Sequence, residues 1–394
     1  MSGKYLVSFA DNATEAGSKL LWDAGGLNVL STRTMKTSEV NPNVESNQAL
    51  VFHNLGVAVV NAEQAQLEAV KATSLKGESN PILTIEPERI LFAAQEETTS
   101  ASTVDEPPAT WGLIATKVLD SQYTGRGVKV AILDTGLDLN HPDFTGRTIV
   151  SQSFVQSEDV QDGYGHGTLS TGTACGPRKP SQLPRYGVAY ESDIYIGKVL
   201  ENQDAKGNDG VILQGIQWAL ENGCQIISMS ISGSVIVGQP FSQLYETLAR
   251  RVLEQGSIII AAAGNNSERN AATGAIYKPT GYPANCPSIM AVAAVDSQLE
   301  IGWFSNRALN SSDGSGIDIA GPGVDVYSSR PMPTKYGKTS GTSIAVSHVS
   351  GIAALFAEAK PEARGKALWD LLTQTTRALE FSAIDVGAGL VQAP

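Results

Sequence analysis

Long hydrophobic runs are missing from this chain. No stretch reaches the roughly 18 apolar residues that a membrane-spanning helix needs, so no membrane partner is expected. Positive charge is also in short supply, with 28 Lys and Arg against 40 Asp and Glu and a net charge of −12. That balance disfavours nucleic-acid and anionic-membrane partners, whose phosphates call for cationic faces. Cysteine is scarce: Cys175, Cys224 and Cys286 cannot all pair with one another, and no two share a zinc-ligand spacing. Their apolar or loop-like surroundings favour buried free thiols. The opening segment, Met1–Ala10, lacks a signal peptide's long apolar region and small-residue cleavage site and reads as a strand at once. As written, the chain is expected in the cytoplasm, or outside the cell if a leader has been removed.

What is there is a chain of 394 residues, 42% hydrophobic, long enough for two or three domains and a large core. Residues 4–93 read as a small α+β unit. Strands are expected at Lys4–Ala10, at Leu27–Met35, over Ala49–Phe52 and Gly56–Val60 with a break around Asn54-Leu55-Gly56, and through Ile82–Ile85 towards Leu91. Helices are expected at Glu15–Ala24 and Ala62–Thr73. The order βαββαβ is the split ferredoxin-like arrangement, which by itself carries no function. Gln95–Thr110 differs: Glu96, Glu97, Asp105 and Glu106 stand without a positive charge beside Pro107-Pro108. It reads as an exposed acidic linker and domain boundary, dividing the chain into 1–94, 95–110 and 111–394.

From Trp111 onward, apolar β-rich segments alternate with helical ones. Val128–Leu133, Asp193–Val199, Gln225–Ser230, Ser257–Ala262 and Ile289–Val295 lack strict alternation, which suits parallel strands covered on both faces. Gly167–Thr173, Gly210–Asn222 and Phe241–Gln255 look helical between them, with a last helix at Ala363–Thr373 and a short segment at Gly387–Val391. The expected fold class is α/β, a doubly wound, mostly parallel sheet with its sites at the carboxyl ends of the strands.

Several residues occupy such positions. Ser343 sits in Gly341-Thr-Ser-Ile-Ala345, where flexible residues lead into an apolar run of helical spacing. The positive end of a helix suits an acyl-transfer nucleophile; an N-capping serine is the commoner use of the same position. Asp134 closes the apolar strand before Thr135-Gly136, as a site carboxylate or as a turn-former. His166 lies between two glycines ahead of a helical stretch, a poor setting for a packed core residue. His53, His141 and His348 have ordinary settings: an apolar strand, a turn before Pro142 and a helix interior. Asn265 ends Ile258–Gly264, either as a donor to an oxyanion or in an Asx-turn. An acid, an imidazole, a hydroxyl and an amide donor together make one chemistry, nucleophilic acyl transfer.

The four segments Val130-Ala-Ile-Leu-Asp-Thr-Gly136, Gly165-His-Gly-Thr168, Ala261-Ala-Ala-Gly-Asn265 and Gly341-Thr-Ser-Ile-Ala345 resemble those of the subtilisin-like serine peptidases, in that family's order Asp…His…Ser. The resemblance runs from Trp111 to about Ala393. It implies an endopeptidase acting on proteins or peptides as a monomer, with Asp134, His166 and Ser343 as its triad. Asn265 and the Ser343 N–H would stabilise the tetrahedral intermediate. It further implies that Ser230, Ile231, Ser232, Gly233, Ala262 and Gly264 wall the primary (P1) pocket. Gly281 would form its floor, open enough for bulky or unbranched apolar side chains. Lys206-Gly207-Asn208 would pair with an extended substrate by strand addition. The amino-terminal unit resembles the family's prodomains, folding chaperones that then inhibit, and self-cleavage is expected within Phe92–Glu96.

Departures from the family pattern are also present. Leu169 stands where a second histidine is usual, and Ile344-Ala345-Val346-Ser347 replaces Met-Ala-x-Pro. Gly176–Gly187, basic and without a carboxylate, replaces the family's calcium-binding loop. Asp143 matches a calcium ligand, yet one carboxylate beside Arg178, Lys179 and Arg185 makes a poor calcium cage. No cofactor is therefore expected, and a weaker calcium site elsewhere stays open. Two other readings exist: a catalytically silent binding protein with a pseudo-protease body, and an esterase, which would need a Gly-x-Ser-x-Gly elbow that Ser343 lacks.

Overall fold

Alternation of side chains across strands builds the amino-terminal unit. The computed structural model describes all residues except 1, 38–39, 76–79, 95–107, 183, 273 and 311–315. The unit comprises β1 (Ser2–Phe9), α1 (Thr14–Asp23), β2 (Asn28–Ser31), β3 (Gln48–Phe52), β4 (Val57–Glu63), α2 (Gln64–Ser74) and β5 (Ile82–Pro87). Its sheet runs β2-β3-β4-β1-β5. The last four strands make the expected ferredoxin-like order, and β2 adds a parallel edge beside β3. Val7, Phe9, Val51, Ala58 and Val60 share a core with Leu21 of α1 and with Leu67 and Val70 of α2. Their strand neighbours Leu6, Leu50, Phe52, Val57 and Val59 point to the opposite face, into a core shared with the second unit.

Three expectations need correction here. The broken third strand is two antiparallel strands, because the chain reverses at Gly56, whose N–H returns 2.9 Å to the Phe52 carbonyl. The second strand stops at Ser31 rather than Met35. The last strand ends at Pro87, and its apparent continuation, β6 (Ile90–Ala93), leaves the sheet altogether.

The second unit follows as α3 (Trp111–Ala115), β7 (Lys129–Asp134), β8 (Ile149–Ser153), α4 (His166–Cys175), β9 (Asp193–Lys198), β10 (Lys206–Asn208), α5 (Asp209–Glu221), β11 (Ile226–Met229), β12 (Ile231–Ser232), α6 (Gln243–Glu254), β13 (Ile258–Ala262), β14 (Met290–Val295), β15 (Ile319–Pro322), β16 (Val326–Ser329), β17 (Tyr336–Thr339), α7 (Thr342–Ala359), α8 (Lys366–Gln374) and α9 (Ala383–Val386). Seven parallel strands stand in the order β15-β14-β13-β11-β7-β9-β8. One face, with Ala131, Ile227 and Ile259, packs on α5 and α6; the other, with Val130, Ile226 and Ile258, packs on α7. Burial on both faces explains the unbroken apolar strands. Among the described residues, α7 is the one helix long and apolar enough to cross a membrane, and it is buried in this core instead.

The two units meet where the first sheet lies on α5 and α6. Glu86 accepts from Leu244 N (3.0 Å) and Ser242 Oγ (2.8 Å) at the start of α6, and Glu88 from Gly210 N (3.2 Å) at the start of α5. Each carboxylate thus meets the positive end of a helix. Burial still holds the Glu88 carboxyl above its ordinary range. Most of the expected linker, 95–107, lies outside the described residues. Its end is not exposed: Ala109 and Thr110 are buried, and Thr110 N donates to Arg185 O at 2.9 Å.

Candidate active site

Asp134 is the last residue of β7, near the middle of the sheet, with its side chain buried. Its Oδ1 lies 2.7 Å from His166 Nδ1 and accepts a 2.7 Å bond from Thr135 N. With Nδ1–H donating to a carboxylate, the neutral imidazole presents Nε2 as a proton acceptor.

The loop that delivers His166 is tied down by a residue that motif reading overlooked. Asp162 Oδ1 accepts from Thr135 Oγ1 (2.9 Å), Tyr164 N (3.1 Å) and Gly165 N (2.7 Å). Its Oδ2 accepts from Thr168 N (2.8 Å) and Thr168 Oγ1 (2.7 Å). Thr135 Oγ1 accepts in turn from Gly167 N at 2.8 Å. One carboxylate therefore stitches the start of α4 to the end of β7. The only hint in the sequence is its place four residues before His166. Gly167 is dictated by packing, since a Cβ there would collide with the Gly136 carbonyl.

Ser343 is the second residue of α7 and is fully buried. Its Oγ and His166 Nε2 each lack a hydrogen-bond partner, so no bond joins them in this state. Asn265 Oδ1 accepts from Thr342 N (3.0 Å) and Thr342 Oγ1 (2.7 Å), which turns Nδ2 outward, buried and unpartnered. The point where a Gly341 Cβ would stand lies 2.7 Å from Ala94 O, 2.9 Å from Ser343 Oγ and 3.2 Å from Asn265 Nδ2. These three atoms therefore crowd one spot that only glycine leaves open.

Ala94 reaches that spot because β6 fills a cleft in the second unit. It pairs antiparallel with β10, Gly207 facing Leu91, and with β12, Ile231 facing Ala93 and Ser232 facing Phe92. Ala94 N donates to Ser230 O at 3.0 Å, and Ser343 N points at Ala94 O from 3.4 Å. Gly207 carries no side chain because Val199 O leaves no room for one. Gly281 N donates to Ala263 O (2.8 Å), and Gly233 and Tyr282 exchange backbone bonds, so 281–282 bridges the two walls. Ala262 and Ala94 belong to the same buried cluster.

Neither Gly281 nor Gly264 borders empty space on its Cβ side: a Cβ on Gly281 would collide with Ser232 Oγ, and one on Gly264 would stand 2.5 Å from Asn306 Nδ2 and 3.0 Å from Ser232 Oγ.

The departures from the family pattern also have physical accounts. Leu169 packs with Val326 and Ile344, and Val346 lies in the α7 core. Asp143 Oδ2 accepts from Tyr186 Oη (2.6 Å) and Tyr336 Oη (2.9 Å), and Oδ1 from Ser181 N (2.7 Å). Three hydrogen-bond donors aimed at one carboxylate do the work of a cation and do not fit one. Cys175, Cys224 and Cys286 are free and buried, as expected.

Comparison with known proteins agrees with this geometry. The subtilase family profile matches residues 125–390. The chain is similar to the subtilisin of Bacillus pumilus, at 37% identity over 281 residues, covering 71% of this chain and 94% of that protein. It is also similar to subtilisin E of Bacillus subtilis (strain 168), at 33% over 331 residues, 83% of this chain and 81% of that protein. Alkaline elastase YaB of Bacillus sp. (strain YaB) is 34% identical over 326 residues, 79% of this chain and 78% of that protein.

Proposed function

The chain belongs to the subtilase family and is a serine endopeptidase of the subtilisin type, and from that premise we propose that Asp134, His166 and Ser343 form its triad and that residues 1–94 are its self-cleaved inhibitor. Proteins or peptides are its substrates. The single observation that carries the proposal is the Ala94 carbonyl, held between β10 and β12 and facing Ser343 N.

Ser343 Oγ attacks the Ala94 carbonyl carbon while His166 Nε2 takes its proton. Asp134 keeps Nδ1 protonated and stabilises the imidazolium that forms. The oxygen of the tetrahedral intermediate receives Ser343 N–H, which already points at Ala94 O, and Asn265 Nδ2–H, which is free to donate beside it. Proton return from His166 to the amine of Gln95 releases the downstream chain, and water hydrolyses the acyl-enzyme by the same route. The acid product then keeps β6 in the cleft as an inhibitor.

The similarity to subtilisin E supports the prodomain role, because 83% of this chain is more than residues 111–394 can supply. A large parallel sheet closes many sequence-distant contacts and folds slowly, so a template lying on α5 and α6 is physically sensible. The carboxylate Asp143 is assigned a hydrogen-bonded role in place of a calcium ligand, and the enzyme acts as a monomer.

The test compares wild type with Ser343→Ala by intact mass and N-terminal sequencing. Wild type should separate into residues 1–94 and a chain beginning at Gln95, while Ser343→Ala stays whole. Uncut wild type, or a cut that survives in Ser343→Ala, defeats the proposal.

A further inference from the structure

The geometry points to an endopeptidase selective for alanine-sized residues immediately before the cleaved bond, with Ser232 as the residue that sets the limit. The inference rests on the active-site reading above and deepens it. Ala94 stands between two backbone segments. One is 230–233, bonded to it through Ser230 O; the other is 264–265, which carries the amide of Asn265. The bridge at 281–282 closes the space between them through bonds to Ala263 and Gly233. Because Phe92 faces Ser232 and Ala94 bonds to Ser230 O, the side chains of Ala94 and Ser232 lie on the same side of this strand pair.

Glycine at 281 leaves room beside its backbone, and Ser232 Oγ takes up that room. It lies within 3.0 Å of where a Gly264 Cβ would be and closer still to that of Gly281. The hydroxyl is buried and has no hydrogen-bond partner. A long or aromatic side chain would have to displace Ser232, which is unfavourable in a packed site. A methyl group does not, and Ala94, only 6% exposed, shows that a methyl is accommodated. The unpaired hydroxyl further suits serine, whose Oγ can exchange a hydrogen bond with it.

The experiment uses the self-processed enzyme and a peptide series differing only at the residue before the scissile bond: alanine, serine, leucine and phenylalanine. Wild type should show kcat/KM for alanine above that for phenylalanine by roughly 10- to 100-fold. Ser232→Gly should raise the phenylalanine-to-alanine ratio by about tenfold or more, and Ser232→Ala, a safer variant for folding, should move it in the same direction by less. A wild type that cleaves phenylalanine as well as alanine, or variants whose ratio stays put, overturns the inference while leaving the triad intact. Absence of turnover on every peptide, with Ser343 unreactive to a fluorophosphonate, would instead bring down the active-site reading and this inference with it.

Discussion

Arg251 on α6 offers a sharp test of how the amino-terminal unit is held. Its Nη1 donates to Leu55 O (2.8 Å), and its Nη2 donates to Phe9 O (2.9 Å), Ala10 O (3.1 Å) and Asp11 Oδ1 (3.3 Å). Its side chain is only 12% exposed, whereas Asp11 is 61% exposed, so the carbonyl bonds matter and the ion pair contributes little. A hydrogen bond to a charged group contributes about 1.5–3 kcal/mol, and truncation strands the carbonyls it served. The three bonds share one guanidinium and are not additive, so Arg251→Ala should weaken retention of the cleaved unit by about 2–4 kcal/mol, roughly 30- to 1000-fold. The assay follows peptide hydrolysis across a dilution series of self-processed enzyme, where half-maximal activity marks the dissociation constant. Arg251→Lys should recover part of the loss, since a point charge cannot serve all the carbonyls. A shift below about threefold for Arg251→Ala would show that the carbonyls are as well served by water, and the clamp argument would fail.

Two further outcomes follow from buried groups. His348, inside α7, donates Nδ1–H to Ile344 O at 3.0 Å while Nε2 finds no partner, and burial pushes its pKa from 6.5 down to about 4. A depressed base stabilises the fold above pH 6.5 and loses that contribution as pH falls towards 4, about 3 kcal/mol in all. Urea unfolding of Ser343→Ala at about pH 7.5 and about pH 4.5 should show this loss, and Ser343→Ala/His348→Leu should lose correspondingly less; equal losses refute it. For Asp143, a chelator should leave the thermal midpoint where it was, whereas Tyr186→Phe with Tyr336→Phe should lower stability by about 2–3 kcal/mol. A midpoint that drops on chelation points to a bound metal instead.

Much of this was readable from the residues, and the failures have physical causes. β7 and β13 are legible because strands buried on both faces are apolar throughout. β8 escaped because it is the sheet's edge, where Ile-Val-Ser-Gln-Ser is half exposed and looks like a loop. β15 escaped because Gly321 and Pro322 are ordinary turn signals. The separation of β6 from β5 is set by backbone edges more than a hundred residues away, at β10 and β12, to which local pattern is blind. The same blindness hides what stands beside Gly281, since only the folded chain brings Ser232 Oγ against it. Asp162 was invisible for a related reason, since its worth lies in five bonds to groups that sequence scatters.

The small sheet is greasy on both sides, and only one side is covered by its own helices. Stripped from its partner, that piece faces water with Leu6, Leu50 and Phe52 bare, a poor prospect for staying folded. Unravelled chain is what an endopeptidase digests. With residues 1–94 as the inhibitor proposed above, each enzyme set free would destroy the brakes shed by its neighbours, and a population would wake as an avalanche.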